Sequence, residues 1–421
     1  MVTATTATRS DVAAPRPRPM ERLRRLLDTR LLLLVVVSYL IFRLFSAILM
    51  IWLAKHQDPQ FIPFGTGTNH TSYWDMARMW DGAWYETIVR DGYPSQLPHA
   101  LNGTVQQNPW AFYPLYPMMT KGLMLVTGGS FGVVGSLFSL VLGGAAMVLM
   151  AVLMRPRVGA AATLAATSVF AAAPPSPVFQ MTYTESLGLL ILMAFLIAIS
   201  KESWLLAGTF ALVCGFARPI AVPMALVALV AVVVRWRARN GRPIVVGEWV
   251  RMSVALVSCG VAGLIWPVIA WAVTGDRSAY TATESAWRTD DEVVPFVSWV
   301  RNFDILFGDL WGKLALLAVV VLLVAMLCGP WATGLGYVMW TWTFAYALYL
   351  AAVLDAWSST YRMLIYLFPI VVILIGAGWK RRDQRVLTWV RTAACIGLFL
   401  GWQVWWGWTL LRLAHPAGNA I

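Results

Sequence analysis

Leu31-Leu-Leu-Leu-Val-Val-Val-Ser-Tyr-Leu-Ile-Phe-Arg-Leu-Phe-Ser-Ala-Ile-Leu-Met-Ile-Trp-Leu53 is an apolar run broken by a single charge, Arg43. Wound as a helix at 1.5 Å per residue, it is long enough to cross a hydrocarbon core of ~30 Å. It exceeds the length of a signal-peptide core and has no clear small-x-small cleavage site, so it reads as a retained first span. Similar segments recur at roughly 131–153, 158–174, 186–200, 204–217, 219–234, 249–273, 313–328, 331–354, 361–379 and 389–411. Together they predict an all-α polytopic membrane protein of about 11 transmembrane helices. Composition agrees: of 421 residues 59% are hydrophobic and 12% charged, with a mean hydropathy of +0.67. An ordinary soluble domain is about 25% charged, so a soluble enzyme is excluded. Disordered, collagenous and coiled-coil chains are excluded as well.

Upstream of the first span, residues 1–30 hold seven arginines, several prolines and no apolar run. They predict a disordered basic cytoplasmic tail ahead of a single transmembrane domain, 31–421. The net charge of +12 comes from clusters beside apolar runs, the pattern by which membrane proteins record orientation, so no nucleic-acid partner is expected. Threading the spans from a cytoplasmic N-terminus puts 20 of the 32 basic residues inside and 14 of the 20 acidic ones outside. Cys214, Cys259, Cys328 and Cys395 all lie in apolar segments and read as small core residues, neither paired nor spaced for zinc. Asn69-His70-Thr71 and Asn102-Gly103-Thr104 are formal glycosylation acceptors read as chance. The expected location is the plasma (inner) membrane of a prokaryote, multi-pass.

Two loops on the outside are far longer than the 2–8 residues usual between bundled helices: 54–110 and 274–312. In the first, Ser72 to Pro94 fits a helical wheel with Tyr73, Ala77, Trp80, Trp84 and Ile88 on one apolar stripe. Asp75 and Glu86 fall on the opposite, solvated face, whereas Asp81 lies at the margin of the stripe. A carboxylate beside indole rings is partly desolvated, which raises its proton affinity toward the range of a general base. A helix cap, or a rim contact with Arg78 or Tyr85, is the competing structural role.

Three further motifs follow. Asn108-Pro-Trp-Ala-Phe-Tyr-Pro-Leu-Tyr-Pro117 predicts an aromatic turn at headgroup level. Thr182-Tyr-Thr-Glu-Ser186 opens a span and puts Glu185 in its first turn, a common helix-dipole position. Arg218-Pro219 and Tyr361-Arg362 each place an arginine at a span boundary, where it snorkels or binds an anion, with Asp355 as the evident partner of Arg362. One carboxylate and two arginines on one face make the minimum kit for moving a group off a phosphate.

The blocks Trp80-Asp-Gly-Ala-Trp-Tyr-Glu-Thr-Ile-Val-Arg-Asp-Gly-Tyr93, Phe112-Tyr-Pro-Leu-Tyr-Pro117, Tyr183-Thr-Glu-Ser186 and Arg218-Pro219 are similar, in order, to the motifs of the phosphatidylinositol-glycan class V mannosyltransferases and their prokaryotic relatives. The likeness is close over about 110–220 and returns at Arg362 to Pro369; Ile220 and Ala221 depart from the Asn or Thr and then Gly that often follow the arginine pair in the family. The resemblance implies a GT-C-type glycosyltransferase bundle with its active site on the extracytoplasmic face. It implies sugar transfer, with inversion, from a polyprenyl-phosphate-mannose donor to the hydroxyl of a lipid or glycolipid acceptor. Because the family draws its essential acid from the first outside loop, it makes Asp81 the general base. Arg218 and Arg362, with Arg90 and Lys121 as further candidates, would hold the donor phosphate. Trp80, Trp84, Tyr85, Tyr113, Tyr116, Tyr183 and Glu185 would contact substrate. No cofactor is required for a monophosphate leaving group, although Asp75, Asp290, Asp291 and Glu292 leave a divalent cation open. A polytopic secondary transporter or flippase is the alternative; it predicts related halves and midplane charges, and only Arg43 is of that kind.

Overall fold

In lipid, a backbone must satisfy its own hydrogen bonds, and an open chain rich in Leu, Val and Ala does so as helices. The computed structural model describes residues 19–58, 71–288, 294–356, 359–379 and 385–412, with side chains from Thr29 onward. Among them the named elements are all helical, and an isolated bridge between His99 and Val105 is the one strand-like contact. Helix α1 (Pro19–Ala54) carries the opening run, and α2 (Tyr73–Ala77) and α3 (Asp81–Asp91) lie in the first long loop. Then come α4 (Leu115–Thr127), α5 (Phe131–Val158), α6 (Ala160–Ala171), α7 (Glu185–Ser200), α8 (Trp204–Cys214), α9 (Ala221–Arg237) and α10 (Val246–Thr274). The second long loop holds α11 (Ala279–Ser285) and α12 (Val297–Phe307). Last are α13 (Asp309–Cys328), α14 (Gly336–Val353), the short α15 (Thr360–Met363) and α16 (Ile370–Leu374), and α17 (Arg385–Trp406).

Among the described residues, five helices are long and apolar enough to cross a membrane: Thr29–Ala54, Phe131–Val158, Val246–Thr274, Asp309–Cys328 and Val386–Leu411. The other expected spans are shorter or broken. The segment predicted as a span over 361–379 is two short α-helices and a 3₁₀ turn, because Pro369 supplies no N–H and Gly376 adopts φ +72°. Segments 204–217 and 219–234 turn at Arg218. Helix α8 then packs chiefly on α7 and α10, and α9 on α14 and α10.

Helix α7 is apolar all round and almost wholly buried, as a helix enclosed by others must be. It lies between α5 and α8. The segment entering its first turn bonds to the first long loop, Thr182 N to Ala77 O (2.8 Å) and Tyr183 Oη to Met79 O (3.0 Å), and that loop meets the second one where Trp84 touches Trp287 and Asn108 donates to Thr283 Oγ1 (2.9 Å). At the opposite end Arg235 of α9 pairs with Glu248 of α10 (2.7 Å) and Glu202 before α8 (3.2 Å).

Arg43 is structural. Its buried guanidinium donates to Ala171 O (2.6 Å), Ser176 Oγ (2.7 Å) and Ser176 O, and lies against the rings of Tyr39 and Phe179. These acceptors close α6 and the turn after it, so the charge ties α1 to α6. Helix α1 begins at Pro19, inside the stretch expected as a basic tail, and 1–18 lies outside the described residues. Cys214 and Cys259 are buried, but Cys328 is exposed on α13, a helix with an apolar outer face, and Cys395 is half-buried.

Candidate active site

The single helix expected from Ser72 to Pro94 is two helices with a break at Arg78–Trp80. Ser72 and Asp75 form a capping box that starts α2: Ser72 Oγ accepts from Asp75 N (3.2 Å) and Asp75 accepts from Ser72 N (2.9 Å). Asp75 also accepts from Arg78 (2.9 Å). Burial alone would raise its pKa, but the bonds from Ser72 and Arg78 prevail and hold it below the ordinary carboxylate range. Trp80 then takes φ +57° and ψ −117°, a conformation that costs a bulky residue about 1–3 kcal/mol. The segment before α7 holds the break in place: Thr182 N donates to Ala77 O (2.8 Å) and Tyr183 Oη to Met79 O (3.0 Å). Gly82 lies so near the Thr182 hydroxyl that a Cβ there would overlap it. Asp81 is therefore not on the flank of a continuous rod. It is the first residue of α3, where the helix dipole favours a negative charge.

Four charged side chains from four parts of the chain converge there. Arg362 of α15 donates through Nη1 to Asp81 Oδ2, and its Nε stands 3.2 Å from Glu185 Oε1. Arg218, in the turn between α8 and α9, pairs with the same Glu185 oxygen. The side-chain exposures rank them by depth: Glu185 0%, Arg362 5%, Arg218 9% and Asp81 19%. The guanidiniums lie against tyrosine rings, Arg362 at 5.0 Å from the Tyr183 centroid and Arg218 at 5.5 Å from that of Tyr366. Room for this comes from Gly188, whose missing Cβ is the space taken by the Tyr366 hydroxyl and the Arg218 stem. Arg218 Nε is buried with no hydrogen-bond acceptor among the described residues. Asp355, expected beside Arg362, instead pairs with Arg301 (2.9 Å).

The remaining expected residues divide. Tyr85 is buried facing all four charges, and Tyr183 supports both Asp81 and Arg362. Trp84 stacks on Phe112 and meets Trp287 of the second long loop edge-on, and Trp80 is half-buried. Tyr116 is a core residue, its hydroxyl bonded to Gly135 O (2.8 Å) and Ser139 Oγ (2.9 Å). Tyr113 belongs to a separate cluster with Trp110, Trp266 and Tyr280, and shares a hydrogen bond with Tyr280 (3.2 Å). Arg90 is exposed and paired with Asp91 (2.8 Å), and Lys121 is exposed on α4. Tyr366 and Trp287 were not singled out from the sequence. Tyr366 follows Arg362 by four residues within the Arg362 to Pro369 segment, a spacing that could have flagged it, whereas Trp287 carries no local signal.

Among the described residues no three His, Cys, Asp or Glu side chains stand together as a metal site. Asp290, Asp291 and Glu292 lie outside the described residues. The converging groups amount to one carboxylate near the surface, two cations behind it and a second carboxylate locking the cations from below.

No protein-family model matches the chain, and no curated protein matches it. Among solved structures it is similar to the oligosaccharyltransferase of Archaeoglobus fulgidus tethered to an acceptor peptide containing the NVT sequon, at 13% identity and a TM-score of 0.43, over 87% of this chain and 55% of that one. It is also similar to the same enzyme in complex with Zn and sulfate, at 12% identity and a TM-score of 0.41, over 90% of this chain and 53% of that one. The chain thus spans about half the length of these structures.

Proposed function

We propose that this protein is an integral-membrane glycosyltransferase with a GT-C-type bundle. It moves mannose from a polyprenyl-phosphate-mannose donor to a hydroxyl of a lipid or glycolipid acceptor on the extracytoplasmic face. The observation that carries the reading is the convergence of Asp81 with Arg362, Glu185 and Arg218 at the end of the bundle where the two long loops meet. Three of these four residues, Asp81, Glu185 and Arg218, come from the motif blocks that resemble the class V mannosyltransferases, and Arg362 opens the segment where the likeness returns.

In this reading the acceptor oxygen attacks the anomeric carbon as its proton passes to Asp81, and the bond from that carbon to the phosphate oxygen breaks with inversion. The electron pair leaves on the phosphate, which gains a second negative charge, and Arg218 and Arg362 stabilise it as it forms. Glu185 touches no substrate; it fixes both guanidiniums so that little reorganisation is needed during the reaction. A long isoprenoid tail stays in lipid beside the short helices.

The test is transfer by the purified protein in nanodiscs, using labelled polyprenyl-phosphate mannose and a panel of lipid acceptors. The reading predicts a mannosylated lipid together with free polyprenyl phosphate. Movement of intact donor across sealed vesicles without product would favour the transporter or flippase instead.

A further inference from the structure

The ion pair between Asp81 and Arg362 poses a difficulty for the function proposed above. A general base needs a free lone pair, and a phosphate-binding arginine needs a free donor edge, yet here the two groups occupy each other. The charges add to the difficulty. Two guanidiniums set against two carboxylates sum to zero, so the four groups together carry no net charge to attract an anionic phosphate.

The two carboxylates are not equivalent. Glu185 is fully buried, rooted in the first turn of the central helix and shared by both arginines, so its removal would leave two like charges facing each other in an apolar core. Asp81 has one cationic partner, is the most exposed of the four, and heads a helix whose backbone is held independently by Tyr183 and Thr182. Exchange of its partner therefore asks only for a side-chain rotation, not for movement of the anchored backbone. Arg218 Nε, buried and lacking an acceptor, is already available as a donor to an incoming anion.

We propose that Asp81 is a stand-in for the donor phosphate: on binding, the phosphate of the lipid-linked donor takes the edge of Arg362 that Asp81 occupies, and the displaced carboxylate becomes the free base. The exchange rests on the glycosyltransferase reading, and it orders the reaction. The donor binds first, because only its phosphate releases the group that deprotonates the acceptor. Charge balances throughout. A donor with one negative charge brings the four groups and the phosphate to −1. The total is still −1 after transfer, when Asp81 carries the proton and the phosphate has gained the charge. The same carboxylate also keeps the two cations from holding adventitious anions while no donor is bound.

The experiment is equilibrium binding of a labelled decaprenyl monophosphate to the full-length protein in nanodiscs, with inorganic phosphate as a control for the headgroup alone. Asp81→Asn removes the competitor, so it is expected to bind the lipid phosphate about tenfold or more tighter than wild type, a gain of one charge-assisted contact. Asp75→Asn is expected to leave the affinity unchanged. If the asparagine variant is not monodisperse, Asp81→Ser keeps a small polar group at the head of α3 and carries the same expectation. Equal or weaker binding by a folded Asp81 variant overturns the exchange. Sugar transfer by the same samples separates the two ideas: tighter binding with undiminished transfer supports displacement by the phosphate but overturns the release of Asp81 as base, and lost transfer without tighter binding overturns the displacement and keeps Asp81 as base.

Discussion

Arg362, in a short helix near the end of the chain, donates to the carboxylate of Asp81, 281 residues earlier. Neither residue reaches the other by local structure. Asp81 is delivered by a helix break that the segment before α7 holds in place, and Arg362 by a segment that breaks instead of spanning. The site therefore exists only when the first long loop, α7 and the 359–379 segment are docked together.

The buried acid between the arginines is the structural centre of this arrangement. Glu185→Ala leaves Arg218 and Arg362 facing each other without their shared counter-charge. Loss of one partner from a buried ion pair costs about 3–5 kcal/mol. A thermal or denaturant unfolding series should show a destabilisation of that order for Glu185→Ala, and one near zero would mean that the pairings are not maintained in the membrane.

Tyr183 acts on Asp81 through the backbone, with its hydroxyl on Met79 O just before the strained Trp80. Tyr183→Phe removes one buried hydrogen bond, about 1 kcal/mol of stability. It should lower kcat roughly tenfold with little change in KM, because a base displaced from its attack geometry affects the chemical step more than binding. A change confined to KM would assign the tyrosine to substrate contact instead.

Gly188 gives a steric test of the same core. Gly188→Ala sets a Cβ into the Tyr366 hydroxyl and against the Arg218 stem, an overpacking expected to cost about 1–3 kcal/mol. Adding Tyr366→Phe deletes the clashing oxygen and should restore part of the loss. If the double variant is no more stable than the single one, Tyr366 is not the obstacle.

Much of this site could be read from the sequence, and what could not has identifiable physical causes. Asp81, Arg218 and Arg362 stand out because a charge beside aromatic rings or at a span boundary needs a reason. Glu185 resembles any first-turn acid, since its burial depends on helices that arrive from elsewhere in the chain. The pairing of Arg362 was misread as Asp355 because nearness in sequence is a poor guide to which charges meet when a segment breaks; Asp355 goes to Arg301. The helical wheel identified Asp81, although it assumed a continuous helix that Trp80 interrupts. The first span is legible because twenty-odd apolar residues admit few other structures, whereas the short spans carry the same composition without the length that decides.

Glu284 provides a pH test outside the spans. It sits on α11 beside Tyr280 and faces Tyr113, Tyr349 and Arg288, and burial pushes its pKa up from 4.5 to about 7 against the lowering effect of Arg288 and Tyr280. The docked loop thus holds this proton more tightly than the undocked chain does. Its contribution to docking is full below about pH 4.5 and is lost as pH rises through about 7. Hydrogen-exchange protection over 279–288, corrected for intrinsic rates, should fall across that window in the wild type and stay level in Glu284→Gln. Identical profiles in the two proteins would exclude Glu284 as the source.

The most direct measurement is single-turnover sugar transfer from polyprenyl-phosphate mannose by wild type, Asp81→Asn and Asp75→Asn, each in nanodiscs at saturating donor. General-base assistance is worth about 10²–10⁴-fold in rate. Transfer by Asp81→Asn should therefore fall by roughly 10³-fold, with Asp75→Asn close to wild type. Wild-type turnover in Asp81→Asn would contradict the assignment of the base, and with it the reading of the site.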